Sequence, residues 1–337
     1  KTQAVEKNTR VKARVKAHAL KEFMNTKEKV VVMGHRLPDA DSFGAAIGIY
    51  RAAKTLNKKA YIVIDNPTSS IIPLMNTFRD NQDYEADMFV NNHEAKEIMD
   101  DNTLLVVVDT NKPSITQCED LLYMAKMIVV LDHHRQGSDT IRNSVLSYIE
   151  PYASSACEMV AEISQYIGNG LRLRPAEAEA MYAGIMIDTN YFTDKAGVRT
   201  FEAMAYLRRS GADVVRVRKL FREDINEYKI KAAAIQDTEL YLGEYAIAES
   251  LAEGVESPTV LGAKIANSLL DINGVKASFV LTKYNGKIYI SARSIDELNV
   301  QVMMERLGGG GHINMAGAQL KDMSMEEAKA IIRETID

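Results

Sequence analysis

The sequence predicts an α/β protein, with a mostly parallel sheet flanked by helices, joined by a long helix to a smaller α+β domain. Three observations carry this expectation. From about residue 29 to 212, strand-like apolar runs alternate with amphipathic segments, the order expected of βαβ units. Several runs end directly in Asp or His, and an open parallel sheet presents its ligand-binding groups at the carboxyl ends of its strands. Beyond residue 237 the pattern shifts to short strands and helices around a turn-forming Asn285-Gly286. A length of 337 residues also favours two domains over one core.

In chain order, residues 1–29 carry nine Lys or Arg and three Glu without Gly or Pro, so 1–27 reads as an exposed helix or linker, a solvated basic connector. The first domain is expected over 28–212. Its strand-like runs are 29–33, 60–64, 104–108, 127–131 and 146–149, and helical patterns include 43–56 and 117–126. Ser154-Ser155 open a helix running to about Ile167, and Arg174-Pro175 begin another with Pro in its first turn. Amides at the Ser154-Ser155 helix start can hold phosphate, although simple capping is the stronger reading of the serines. Residues 213–237 place Val214, Val217, Leu220, Phe221, Ile225, Tyr228 and Ile235 at helical spacing, which predicts one long linking helix. The second domain is expected over 238–337. It has a strand at 245–248, a helix at 258–270, a hairpin 277–283/287–292, a helix at 300–307, a strand near 318–320 and a closing helix from Ser324.

The bulk numbers exclude several classes. Hydrophobic residues make up 46% and charged residues 26%, as in soluble globular proteins. No run of eighteen apolar residues offers a membrane span, and no secretory signal opens the sequence. Only Cys118 and Cys157 are present, without metal-like spacing, which fits inert thiols in a reducing compartment. A net charge of −5 argues against a broad footprint for duplex nucleic acid. The sequence does not start with Met, so a catalytic portion of something longer is expected.

The chemistry sits in three clusters and one isolated carboxylate. Val30–Met33 lead into Gly34-His35-Arg36-Leu37-Pro38-Asp39-Ala40-Asp41. Leu104–Val108 lead into Asp109, and Ile128–Leu131 lead into Asp132-His133-His134. Asp188 follows the apolar run Ala183–Ile187, read here as a fourth strand end. Carboxylates gathered this densely repel one another and need a cation between them. Two divalent ions are the simplest arrangement. His35 and Asp39 would bind one; Asp41, His133 and Asp188 the other; Asp109 would bridge both. An all nitrogen and oxygen donor set favours octahedral ions, and the imidazoles favour Mn²⁺ over Mg²⁺. Asp132 is expected to orient an imidazole, and His134 to face the substrate. Asp65, also at a strand end, is a turn residue before Pro67.

In the second domain, Gly308–Gly311 followed by His312 let the backbone approach a ligand and form an anion nest. Arg293, on the hairpin, has the fork geometry for phosphate, with a surface salt bridge as the competing explanation.

These residues resemble the DHH phosphoesterases. Asp132-His133-His134 is the naming motif, and His35-x-x-x-Asp39-x-Asp41, Asp109 and Asp188 match the other metal motifs. Gly309-Gly310-Gly311-His312 is similar to the signature of the DHH-associated domain. Within the family, Gly34–Gly44 and Asp132–Arg135 resemble the catalytic portion of GdpP-type cyclic di-AMP phosphodiesterases most closely. Ala40 stands where many relatives have Gly, and Met315 where many have Ala; neither is a metal ligand.

The resemblance implies Mn²⁺ dependence, a homodimer, and opening of cyclic di-AMP to linear 5′-pApA by a metal-activated hydroxide. It further implies catalytic roles for Asp109, Asp132 and His134, and substrate contacts from Arg135, Arg293, Gly309, Gly310, Gly311 and His312, across a cleft between two lobes. The parent protein would be anchored in the cell membrane through upstream segments, with this portion in the cytoplasm. Competing expectations are a nanoRNase acting on short linear oligonucleotides, a pyrophosphatase, and a cyclic-dinucleotide sensor without turnover.

Overall fold

The computed structural model describes residues 2–337 other than Asn169, with side chains from Asn8 onward. The chain divides into two compact units, Lys1–Phe221 and Arg222–Asp337.

The first unit contains α1 (Thr2–Asn25), β1 (Lys29–Met33), α2 (Ala40–Thr55), β2 (Lys59–Val63), α3 (Ile72–Arg79), β3 (Phe89–Val90), α4 (Asn92–Ile98), β4 (Thr103–Val108) and α5 (Asp120–Met124). It continues with β5 (Met127–Asp132), β6 (Leu146–Ile149), α6 (Ala156–Ser164), α7 (Pro175–Asp188), α8 (Val198–Arg209) and α9 (Val214–Leu220). Its strands form one sheet in the order β3-β2-β1-β4-β5-β6, and every pairing is parallel. Successive side chains alternate between faces. Val30 and Val32 pack with the large core beneath α1, α2, α6 and α7, while Val31 and Met33 pack with a smaller core beneath α4 and α5. Covering both faces is what a parallel sheet requires, and it explains the uninterrupted apolar runs. Strand order reverses between β1 and β4, the position where an open α/β sheet leaves a crevice at its carboxyl edge.

Two expectations for this part of the chain fail. The basic N-terminal stretch is not a solvated connector. Ala13, Ala17, Leu20 and Met24 recur every three or four residues along α1 and are fully buried in the large core. The basic residues simply occupy the opposite, solvated face of the helix. Nor is 213–237 one long helix. It is α9 and then α10 (Ile225–Gln236), separated by Phe221–Asp224. The apolar positions serve two different cores. Val217, Leu220 and Phe221 pack in the first unit, whereas Ile230 and Ala234 pack in the second. A break lets each half turn its stripe towards its own core. Asp213 caps α9 by accepting from the Val215 and Arg216 amides.

The second unit adds β7 (Glu239–Tyr241), β8 (Tyr245–Ser250), α11 (Pro258–Leu269), β9 (Ala277–Tyr284), β10 (Lys287–Ser294), α12 (Val300–Arg306), β11 (Gly310–His312), β12 (Met315–Lys321) and α13 (Met325–Ile336). Its mixed sheet runs β11-β12-β10-β9-β8-β7, with only β8 and β9 parallel. The β9–β10 hairpin turns on Asn285 (φ 52°) and Gly286 (φ 74°), both left-handed as a tight two-residue turn needs. One sheet face packs Phe279, Ile290 and Leu320 against Met304 and Ile332 from α12 and α13. The other packs Ala246, Ala248 and Val280 against Leu261 and Ile265 of α11. Among the described residues no helix is long and apolar enough to cross a membrane.

Candidate metal centre

The site lies in the first unit, at the carboxyl edge of β1, β4 and β5. Each residue arrives there for a local reason. Gly34 follows β1 because a Cβ would lie 1.9 Å from Ser42 Oγ, so only glycine lets the chain turn against α2. Asp39 caps α2, accepting from the Ser42 amide at 2.8 Å, and Asp41 falls in the first turn of that helix. Asp39 and Asp41 are therefore set by a helix start. Asp109 follows β4 with φ 61°, a left-handed conformation that an Asp tolerates better than most residues. Asp188 closes α7. The expected fourth strand end is therefore a helix end: the run Ala183–Ile187 is apolar because α7 is buried on most sides.

Four side chains converge on one point. His133 Nε2 lies 3.1 Å from Asp109 Oδ1, 3.5 Å from Asp41 Oδ2 and 3.5 Å from Asp188 Oδ2. Asp132 Oδ1 accepts from the His133 amide at 2.9 Å and lies 2.7 Å from His134 Nδ1. The His133 and His134 rings are 4.3 Å apart, and the His35 ring is 6.2 Å from that of His134.

The electrostatics show what this crowding costs. Burial, then the charge of Asp39, pushes Asp41 up to about 6 despite two amide hydrogen bonds. Burial, then Asp41 and Asp39, pushes Asp188 up to about 9. Asp109 is held well above the carboxylate range by burial and then by Asp41, Asp39, Asp188 and Asp132. Burial and the neighbouring His134 bring His133 down to about 3, so its imidazole is neutral. His134 moves the other way. Burial opposes its protonation, but the bond to Asp132 and that carboxylate's charge outweigh it. For Asp132 burial works upward, and the His134 contact holds it below the usual range.

Residues 29–185 match the DHH family, N-terminal domain, and residues 247–337 match the DHHA1 domain. The chain belongs to the DHH family. This DHH protein is 45% identical, over 100% of its own length, to the cyclic-di-AMP phosphodiesterase GdpP of Bacillus subtilis. It is 41% identical, again over 100% of the chain, to the cyclic-di-AMP phosphodiesterase PdeA of Listeria monocytogenes. The chain spans about half the length of these curated relatives, 52% and 51% respectively. In fold it resembles an exopolyphosphatase-related protein from Bacteroides fragilis, with a TM-score of 0.82 at 19% identity over 96% of this chain and 95% of that one.

The donor set of the DHH protein fits a divalent cation. Three carboxylates and one neutral imidazole meet, the charge of Lys195 offsets them only in part, and the donors are all oxygen and nitrogen. Asp41, Asp109, His133 and Asp188 fall together as the sequence predicts. Asp132 and His134 join Asp109 and His133 in an overlapping group. His35 and Asp39 belong to neither group, the His35 ring lying 6.2 Å from that of His134, so the cation seat gathers around Asp109 and His133. Arg135 is exposed on the segment after His134. Asp65 stays apart, accepting from the Asn92 amide at 3.0 Å.

Sequence reasoning missed three supports. The first-turn amides of α6 hold the Asp41 carboxylate, with Ala156 N donating to Oδ2 at 2.9 Å and Cys157 N to Oδ1 at 2.8 Å. That helix start holds a protein carboxylate, and Ser155 is an ordinary cap accepting from Glu158 N. Asn111 Nδ2 donates to Asp132 Oδ2 at 2.7 Å, and Asn111 Oδ1 is buried without a partner among the described residues. Lys195, beyond α7, adds positive charge felt by Asp188 and His133. Only the Asn111 support had a visible signal, two residues after Asp109.

In the second unit the glycine run is not an open nest. Gly310–His312 form the edge strand β11 on β12. A Cβ at Gly309 would lie 2.0 Å from Gly317 O, so close strand approach explains that glycine. Arg293 donates to Asn267 Oδ1 at 3.1 Å and to Ala292 O at 2.9 Å, so α11 helps to place its guanidinium.

Proposed function

We propose that this chain is the catalytic portion of a metal-dependent phosphodiesterase that hydrolyses cyclic di-AMP to linear 5′-pApA, with two Mn²⁺ ions as its working metals. The observation that carries this reading is the convergence of Asp41, Asp109 and Asp188 on neutral His133. Identity of 41–45% over the whole chain to cyclic-di-AMP phosphodiesterases supports the substrate. Asp41, Asp109, His133 and Asp188 would hold one ion, and His35, Asp39 and Asp109 the other. Divalent ions held there supply charge neutralisation at phosphoryl oxygens and a water of lowered pKa.

The protein's own groups do the rest. The α6 amides fix the direction of the Asp41 carboxylate. Asp132 occupies Nδ1 of His134 at 2.7 Å and raises its pKa, which leaves Nε2 as the ring's remaining donor. We assign His134 Nε2 the proton or hydrogen bond delivered to the phosphoryl oxygen. Arg135, Arg293, Gly309–Gly311 and His312 are assigned to the nucleotide. The active species is taken to be a homodimer within a longer, membrane-anchored protein.

The test is product analysis after incubation with Mn²⁺ and a panel of cyclic di-AMP, linear pApA and short oligoribonucleotides. Cyclic di-AMP should be consumed fastest, with 5′-pApA accumulating. Preferential trimming of linear oligoribonucleotides would replace this reading with the nanoRNase one. Binding without turnover would leave a sensing module.

A further inference from the structure

The sheet of the second unit is covered unevenly. Ile288, Ile290 and Ala292 of β10, with Ala316, Ala318 and Leu320 of β12, point into the core beneath α12 and α13. Their alternates, Lys287, Tyr289, Ser291 and Arg293 with Met315, Gly317, Gln319 and Lys321, point to the opposite face. On that face α11 packs over β8, β9 and part of β10, where Asn267 accepts from Arg293. Between α11 and β12 the sheet is left as a trough. Its pocket of about 550 Å³ is lined by Thr259 at the start of α11, Tyr289, Ser291, Gln319, Lys321 and the Gly308-Gly309 backbone. This volume suits a small molecule, for which sites span about 300–1,000 Å³.

The lining describes a ligand. The floor is low because Ser291 faces Gly317 across the strand pair. Gly262 lets α11 approach the sheet closely, since a Cβ there would lie 2.9 Å from Thr282 Oγ1. At one end Lys287 pairs directly with Lys321, and Arg293 stands at the other end of the same strand face. No carboxylate lines the pocket. Tyr289 presents a half-buried ring, 6.2 Å from that of Tyr284, and Gln319 directly opposite it offers both an amide donor and a carbonyl acceptor. The Lys321 cation at one end of a short polar floor with an aromatic ring suits a planar base attached to a phosphate.

We infer that this trough seats an adenine nucleotide moiety, with Tyr289 under the base, Gln319 on its edge and Lys321 on a phosphate. The inference rests on the nucleotide-hydrolase reading above for its ligand class, and it adds specificity residues that the metal motifs do not contain. Tyr289, Gln319 and Lys321 belong to the second unit, and the candidate metal ligands to the first.

Calorimetric titration of the full chain in EDTA with 5′-AMP isolates the trough from the metal centre. Ribose 5-phosphate serves as the control lacking a base. AMP should bind in the millimolar range or tighter, and more tightly than ribose 5-phosphate. Gln319→Ala and Tyr289→Ala should each weaken AMP by roughly tenfold or more, as loss of a base contact does. Gln319 is exposed, so its variant keeps the test alive if the Tyr289 variant misfolds. Equal binding of AMP and ribose 5-phosphate, no AMP binding, or unchanged affinity in Gln319→Ala would overturn the assignment. Turnover separates the two readings. If wild type opens cyclic di-AMP and Gln319→Ala keeps the same KM, the trough falls while the activity stands. If AMP binds through Gln319 yet cyclic di-AMP is not hydrolysed, the trough stands and the substrate reading falls.

Discussion

Removing divalent ions should make the first unit progressively less stable as pH rises from 5 to 8. In the unfolded chain an Asp loses its proton near about 3.9. In the folded, metal-free protein Asp41 keeps its proton to about 6 and Asp188 to about 9, and Asp109 is likewise raised. The folded state therefore binds more protons than the unfolded state across this range. That contribution is fully present below the unfolded pKa and is lost as pH rises through the folded values. Each retained proton gives a slope of about 1.4 kcal/mol per pH unit. Asp41 drops out near 6, and Asp188 is 27% exposed, so solvent screening reduces its share. A net effect of one proton between pH 6.5 and 7.5 is the conservative figure. For a unit the size of Lys1–Phe221 that is about 3–6 °C in Tm per pH unit. Scanning calorimetry of EDTA-dialysed protein, with and without Mn²⁺, reads this directly. Mn²⁺ should raise Tm, and by more at pH 8 than at pH 5, because at low pH it must displace protons. A metal-free Tm that is flat or rising over this range would refute the carboxylate crowding on which the metal centre rests.

Asp109→Asn should abolish Mn²⁺-dependent turnover while keeping the fold, because Asn tolerates the φ of 61° at this position. Asp109→Ala adds backbone strain of about 1 kcal/mol and is the poorer probe; near-normal activity in the Asn variant defeats the bridging role. His134→Ala and Asp132→Asn should both lower kcat with metal content unchanged, and Asp132→Asn should also lower the His134 pKa by NMR titration. Loss of an ion from His134→Ala would mean that the two histidines exchange roles. Arg293→Ala should reduce kcat/KM for cyclic di-AMP by roughly ten- to hundredfold, as loss of a charge-assisted phosphate contact does, while sparing a small generic phosphodiester. Equal loss on both substrates would point to a structural role through Asn267. Leu20→Ala should destabilise the first unit by about 2–5 kcal/mol in denaturant unfolding. A change within error would return α1 to the status of a connector.

The first unit was legible because its signals are contiguous. A strand and the acidic or histidine cluster that follows it occupy neighbouring positions, so Val30–Met33 with Asp39-Ala40-Asp41, Leu104–Val108 with Asp109, and Ile128–Leu131 with Asp132-His133-His134 can be read without a fold. The hairpin at Asn285-Gly286 was equally plain, since its turn chemistry lies in two adjacent residues. The segment before Asp188 was misread as a strand because a helix buried on most sides loses the polar stripe that marks its period, and apolar content alone does not separate the two. The linking helix failed for a related reason. Periodicity records that Val217 and Ile230 are both buried, but not that they are buried in different cores.

Residue type and strand-end position already specified the chemistry, a cluster of carboxylates and imidazoles that demands a cation. Convergence was decided only by tertiary structure. Asp41 meets the α6 amides across 115 and 116 positions of chain, His133 meets Asp109 across 24, and α1 enters the core through a face that its charge content conceals. Those contacts join segments that are distant in sequence, and local pattern carries no information about which distant partner a side chain will meet.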